Sequence, residues 1–163
     1  MNFTFSGNRA LVLGGTCELA LALAGAMIEA SLFPILTYRD DRGLSRIRKT
    51  LQPFEGRYET YFLNFGDRDS LDSLFSYIDD KLDFMVDFSQ GNYESLIASA
   101  DEACVYRYFT ENISFRAEAL KMAGRTMLKK RKGRLVFISS TADRKSTRLN
   151  SSHRSLSRMP SSA

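Results

Sequence analysis

Apolar residues gather in short runs along the chain, at Ala10 to Leu13, Pro34 to Tyr38, Glu59 to Phe65, Asp83 to Phe88 and Arg134 to Ser139. Runs of this length, nearly continuous rather than alternating, suit strands covered on both faces, as in a parallel sheet. Between them the spacing turns helical. Leu71, Leu74, Phe75, Ile78 and Leu82 share one helical face behind a cap at Asp69 or Ser70, and Ser99-Ala-Asp-Glu102 reads as a capping box opening a long helix toward Lys132. Strands and helices therefore alternate, which predicts right-handed βαβ crossovers and a doubly wound α/β sheet with helices on both faces. The most apolar stretch, Leu19 to Phe33, contains Glu29 and is shorter than the roughly 20 residues a membrane span requires, so it predicts a buried helix and no membrane association.

Composition fits one ordinary soluble domain, with 44% hydrophobic and 26% charged residues in a chain of 163. Cys17 and Cys104 lie far apart, without zinc-site spacing and without a signal peptide ahead of them. That argues against a disulfide framework and for a reducing, cytoplasmic setting. The formal charge of +4 invites a nucleic-acid partner, but its distribution does not support one. From Asp143 onward Arg144, Lys145, Arg148, Arg154 and Arg158 face a single acid, so the whole excess lies in residues 143–163 and the body is balanced. A neutral body offers no basic face for phosphate.

The same boundary marks a change of character. Residues 1–142 read as the domain, whereas 143–163 are rich in Ser and Arg and too poor in apolar residues to supply another packed helix. A disordered basic tail has this composition, and such a tail binding nucleic acid is a further possibility. Back-translation points elsewhere: Asp143 to His153 can be encoded by DNA resembling a widely used sequencing adapter, and Ser157 to Ala163 by that adapter's continuation, with three residues between them as room for an index. On this reading the tail is non-native and takes no part in the fold.

Candidate chemistry begins where the first strand meets Gly14-Gly15-Thr16-Cys17-Glu18-Leu19-Ala20 and a helix. Free amides and the positive end of the helix make such a turn an anion site, although an ordinary glycine turn has the same sequence. The second strand ends Thr37-Tyr38-Arg39, followed by Asp40 and Asp41, and the third delivers Asn64-Phe65. In dinucleotide folds an acid at the end of the second strand binds the ribose hydroxyls of NAD, and an arginine can pair with the 2′-phosphate of NADP. Arg39 therefore favours NADP, with NAD possible because two acids follow. Strand four runs into Asp87-Phe-Ser-Gln-Gly91, the long helix carries Thr110-Glu-Asn112-Ile, and Met127-Leu-Lys-Lys-Arg-Lys-Gly-Arg-Leu-Val-Phe-Ile-Ser-Ser140 closes the domain.

Together these segments resemble the short-chain dehydrogenase/reductase family, and the last one especially resembles 3-oxoacyl-carrier-protein reductases. The glycine turn is similar to the family's Thr-Gly-x-x-x-Gly-x-Gly with Gly14 on the first glycine, while Leu13, Glu18 and Ala20 replace the threonine and the other two glycines. An acid at Glu18 would repel phosphates unless it points away. The resemblance implies a Rossmann-like fold, incomplete on its C-terminal side. It implies a cofactor held by Gly14, Gly15, Thr16, Cys17, Leu19, Arg39, Asn64, Phe65 and Gly91. Ser140 would be the catalytic serine that polarises a carbonyl, and Asn112 would hold a water of the proton relay. The implied activity is NADPH-dependent reduction of a small-molecule or acyl-carrier-bound ketone by a full-length homo-oligomer, with no metal.

The family's proton donor is a tyrosine in a Tyr-x-x-x-Lys pair beyond the serine, needed because hydride delivery leaves charge on oxygen. No tyrosine follows Ser140, so the chain is expected to be truncated before its active site is complete, and inactive. Tyr77 and Lys81 have the right spacing but precede strand four, and read as a helix-surface pair. A non-catalytic dinucleotide-binding or scaffold protein on the same fold is the alternative.

Overall fold

The computed structural model describes residues 6–91, 93 and 96–138; Ser140 and the 143–163 tail lie outside them. In chain order the elements are β1 (Arg9–Leu13), α1 (Glu18–Glu29), β2 (Phe33–Tyr38), α2 (Asp41–Thr50), β3 (Glu59–Phe62), α3 (Arg68–Ile78), β4 (Phe84–Asp87), α4 (Glu102–Phe109), a π-helical turn (Thr110–Ser114), α5 (Phe115–Lys129) and β5 (Arg134–Phe137). The strands form a parallel sheet in the order β3-β2-β1-β4-β5.

Side chains alternate across this sheet and build a core on each face. Ala10, Val12, Leu36 and Val86 pack with Ala20, Leu21, Ala24, Met27 and Ile47 of α1 and α2. Leu11, Leu13, Ile35 and Met85 pack on the other face with Leu71, Leu74, Phe75 and Ile78 of α3 and with Phe115, Ala119 and Ala123 of α5. The chain winds one way from β1 through β3, then returns past β1 to β4. α3 accordingly changes face, as a constant crossover hand requires. The expected Rossmann-like, doubly wound arrangement is the one observed, and the chain contains part of that fold. Leu19 to Phe33 divides into helix α1 and the start of β2, and no described helix is long and apolar enough to cross a membrane.

Four local expectations differ from the structure. α3 is capped by neither Asp69 nor Ser70: Asp67 accepts from the Asp69 amide at 3.0 Å, while the Ser70 hydroxyl is taken by the Asn64 amide at 3.0 Å. Ser99 does not cap the long helix, because it lies in a preceding 3₁₀ turn and its hydroxyl donates to the Leu96 carbonyl; Asp101 caps α4 through the Cys104 amide at 2.8 Å. The helix itself is not continuous, since a π turn separates α4 from α5. Strand β5 is also unlike the doubly covered strands expected, with Leu135, Val136 and Phe137 each 40% or more exposed.

Asp83, just before β4, ties the lower edge of the sheet together. Its carboxylate accepts from the amides of Asn8 and Arg9 at 2.8 and 3.2 Å and from Lys130 Nζ at 2.7 Å. Burial alone would raise its pKa, but these donors outweigh burial and hold it below the ordinary 3.8. A carboxylate with a depressed folded pKa stabilises the fold fully above its unfolded value, and that contribution is lost as pH falls through the folded value. Thermal denaturation should therefore show wild type losing stability below its ordinary value of 3.8 more steeply than Asp83→Asn. Parallel acid limbs for the two proteins would exclude Asp83 as a source of acid sensitivity.

Candidate functional site

The register of the sheet decides where the site forms. Leu13 pairs with Asp87, so the chain leaving β1 passes directly against the chain leaving β4. Gly14 has φ +69°, and a Cβ there would lie 2.8 Å from the Ser89 nitrogen and 2.9 Å from the Phe88 carbonyl carbon. A side chain has neither the conformation nor the room. Gly15 serves the opposite wall, where a Cβ would lie 2.7 Å from Leu36 Cβ. Both amides are drawn into the sheet by one residue: Gly14 N donates to Thr37 Oγ1 at 3.1 Å and Gly15 N to the Thr37 carbonyl at 3.0 Å.

Beyond that anchor the turn opens. Cys17 caps α1, its sulfur accepting from the Ala20 amide at 3.4 Å. Among the described residues no acceptor meets the amides of Thr16, Glu18 and Leu19. These are the unpaired donors of a helix start, and with the positive end of α1 they form a cradle for an anion. Glu18 does not obstruct it. Its carboxylate is 90% exposed and pairs with Arg46 on α2 at 3.2 Å, away from the cleft.

A cleft of about 600 Å³ lies at this C-terminal edge of the strands. It occupies the switch point between β1 and β4, where open α/β sheets take their ligands. Gly14, Thr16 and Cys17 line it from β1, Tyr38, Arg39 and Asp40 from β2, and Phe65 from the segment after β3. Arg39 is exposed and has no ion-pair or hydrogen-bond partner among the described residues. The acids that follow it belong to α2: Asp40 caps that helix by accepting from the Gly43 amide at 2.7 Å, and Asp41 sits in its first turn.

The remaining walls come from β4 and the helix above it. Asp87 Oδ1 accepts from the Ser89 amide at 2.8 Å and from the Ser89 hydroxyl, bracing the turn after β4. The Gly91 amide donates to Asn112 Oδ1 at 2.6 Å, while Asn112 Nδ2 donates to the Tyr108 carbonyl at 2.9 Å. Asn112 thus uses its side chain to hold the β4 segment against the π turn, and π turns of this kind recur at functional sites. Cys104 also lines the cleft, and its hydrogen bond to Asp101 raises its thiol pKa above the ordinary value.

Gly14, Thr16, Cys17, Arg39, Phe65, Gly91 and Asn112 are therefore gathered in one cleft. Three expected residues stand outside it. Gly15 packs on β2, the Leu19 side chain is 66% exposed, and Asn64 is exposed and does not line the cleft, its main-chain amide donating to Ser70 Oγ. Ser140 lies beyond the described residues. Thr37, Phe88, Arg107 and Tyr108 are lining residues that the sequence did not single out. A strand-end threonine next to a glycine turn could have drawn attention to Thr37; the others carry no local signal. Tyr77 is elsewhere, donating to Glu59 at 2.9 Å, and that bond raises its pKa.

Thr37 is 1% exposed and provides the acceptor for Gly14 N. Thr37→Val should lower unfolding stability by about 1 kcal/mol by leaving the partly buried Gly14 amide without its acceptor, whereas Thr37→Ser should retain most of it. Chemical denaturation of the three proteins gives the comparison, and equal stability of Val and Ser variants would show that the hydroxyl does not anchor the turn.

The family profile for short chain dehydrogenase matches residues 8–153. No curated protein matches the chain. Among solved structures, a protein assigned as a betaketoacyl-ACP reductase aligns with a TM-score of 0.75 at 24% identity, over 85% of this chain and 56% of its own. A short-chain type dehydrogenase/reductase from Mycobacterium ulcerans aligns at 0.73 and 21% identity, over 86% and 54%. YwfH, an NADPH dependent reductase involved in bacilysin biosynthesis, aligns at 0.72 and 17% identity, over 83% and 59%. The chain thus spans little more than half the length of these proteins, and at such identities the likeness establishes the fold. The profile match covers most of the sequence, and on that ground the chain belongs to the short-chain dehydrogenase family of NAD(P)-using oxidoreductases.

Proposed function

We propose that this chain is the cofactor-binding half of an NADP-dependent carbonyl reductase. The observation that carries the reading is the turn into α1, where Gly14, Thr16 and Cys17 line a cleft at the switch point of the sheet and the amides of Thr16, Glu18 and Leu19 meet no acceptor among the described residues. Gly14 leaves the close backbone approach that a pyrophosphate needs, and the outward Glu18 removes the repulsion its sequence position threatened. The amides of Thr16, Glu18 and Leu19 would hold the pyrophosphate, Phe65 would line the base pocket, and Gly91, kept in place by Asn112, would border the nicotinamide end.

Arg39 would hold the 2′-phosphate. Its guanidinium is free at the rim while Asp40 is committed to capping α2, which supports NADP over NAD. The likeness to the NADPH dependent reductase agrees with this choice. The bound cofactor would supply a hydride. Ser140 would polarise the substrate carbonyl, of the 3-oxoacyl type on a small molecule or an acyl carrier, in a cytoplasmic homo-oligomer. The chain contains no tyrosine after Ser140 to protonate the resulting alkoxide, and the 163-residue chain is proposed to be inactive for that reason.

Arg39→Ala should weaken NADPH binding by about tenfold, the loss of one charge-assisted contact, and leave NADH binding nearly unchanged. Titration of dinucleotide fluorescence would measure both, and equal losses for the two cofactors would remove Arg39 as the selector.

We also propose that residues 143–163 are translated adapter and that 1–142 is the native part. The change in composition at Asp143 and the paired back-translations support this, while the family match extends to residue 153 and weighs against it for the first part of the tail. Sequencing the re-amplified locus beyond the Ala142 codon should show the adapter gone and the frame continuing to Tyr-x-x-x-Lys. A genomic tail would instead favour the non-catalytic dinucleotide-binding reading.

A further inference from the structure

Two ion pairs join β4 to the long helix, one at each end of the strand. At the lower end Asp83 meets Lys130 at 2.7 Å. At the upper end Asp87 meets Arg116 Nε at 2.6 Å, with the carboxylate fully buried and Arg116 18% exposed. The lower pair touches no residue of the cleft. The upper pair is bonded directly to one, Ser89.

Asp87 is bonded on both oxygens. Oδ2 takes Arg116, and Oδ1 takes the amide and hydroxyl of Ser89, the residue against which Gly14 is packed. One helical turn before Arg116, Asn112 holds the Gly91 amide. The long helix therefore grips both ends of the segment 89–91 that walls the cleft. Arg116 reaches in a third direction, its guanidinium carbon lying 5.6 Å from the centre of the Phe137 ring at the end of β5. Phe137 is also the register partner of Asp87. A planar guanidinium can stack its face on a ring while donating from its edge to a carboxylate.

We infer that the Asp87–Arg116 pair positions the cofactor cleft, fixing the 89–91 segment against the glycine turn and tying it to the end of β5. Arg116 is a positioning residue, acting through Asp87, Ser89 and Phe137. The inference rests on the cofactor reading for its effect on binding, but its effect on the segment does not depend on any ligand. A buried carboxylate deprived of its partner must take up a proton or pull away toward water. Either response loosens Oδ1 from Ser89.

The test compares Arg116→Met with Lys130→Met in the full chain, using amide hydrogen exchange and NADPH fluorescence titration. Arg116→Met is expected to speed exchange at Ser89 and Gly91 and to weaken NADPH binding, each by about tenfold. Lys130→Met is expected to lower the melting temperature while leaving exchange at those two amides, and NADPH affinity, near wild type. If Arg116→Met does not fold, the double variant Asp87→Asn/Arg116→Met leaves no unpaired buried charge; it still cuts the tie to the helix and replaces a carboxylate acceptor of the Ser89 amide with a weaker neutral one, so faster exchange at Ser89 and weaker NADPH binding are again expected. Unchanged exchange at Ser89 and Gly91, or equal effects from the two ends of β4, would overturn the inference. Failure of the wild-type chain to bind NADPH would instead overturn the cofactor reading, and the exchange data would still decide the role of Arg116.

Discussion

The contact between Gly14 and Ser89 governs the upper edge of this molecule. Pairing Leu13 with Asp87 forces two chains to leave the sheet side by side, and the first residue after β1 meets the Ser89 backbone nitrogen closely enough that no Cβ fits. With that approach secured, Thr37 can take both turn amides, and the next amides along are released toward the cleft. A larger residue at 14 would part β1 from the β4 segment. The amides that make the anion cradle would then lose the fixed direction that distinguishes a site from a loop.

The described core contains three buried polar residues, Thr37, Asp83 and Asp87, and all lie at sheet ends. Each binds backbone amides: Thr37 takes those of Gly14 and Gly15, Asp83 those of Asn8 and Arg9, and Asp87 that of Ser89. Apolar packing on the two faces holds the layers together but is not directional. These hydrogen bonds are directional, and they fix where strands begin and end. The two aspartates also need cations, which explains why the long helix presents Arg116 and Lys130 to opposite ends of one strand.

The layers were legible because they depend on patterns several residues long. Leu71, Leu74, Phe75 and Ile78 are buried as their spacing required, and the runs around Leu11, Ile35 and Met85 became central strands. Caps depend on a single hydrogen bond, and neighbouring residues competed for it. Asp67 caps the start of α3, while the Ser70 hydroxyl is engaged by the Asn64 amide. Glu18 looked hostile to phosphate because its partner, Arg46, is 28 residues distant in sequence. Asp87 and Arg116 are similarly separated, by 29 residues, and neither carries a mark of the other. The two glycines of the turn are indistinguishable in sequence, yet one makes room for the β4 segment and the other for β2.

The two edges of the sheet differ in how they meet solvent. β3 carries Glu59, held by Arg9 at 2.7 Å and by Tyr77 at 2.9 Å, and polar Thr60 beside it. Charge and short length are ordinary protections for an edge strand. β5 is equally short, but beyond Arg134 it carries no charge: Leu135, Val136 and Phe137 follow one another and continue into Ile138, all 38–46% exposed. Continuous apolar character belongs to strands covered on both faces. An edge of this composition invites pairing with another strand, so among the described residues β5 has the sequence of an interior strand in an edge position. That mismatch agrees with the proposed reading of the chain as one half of a reductase, whose remaining half would cover the side where Phe137 meets Arg116.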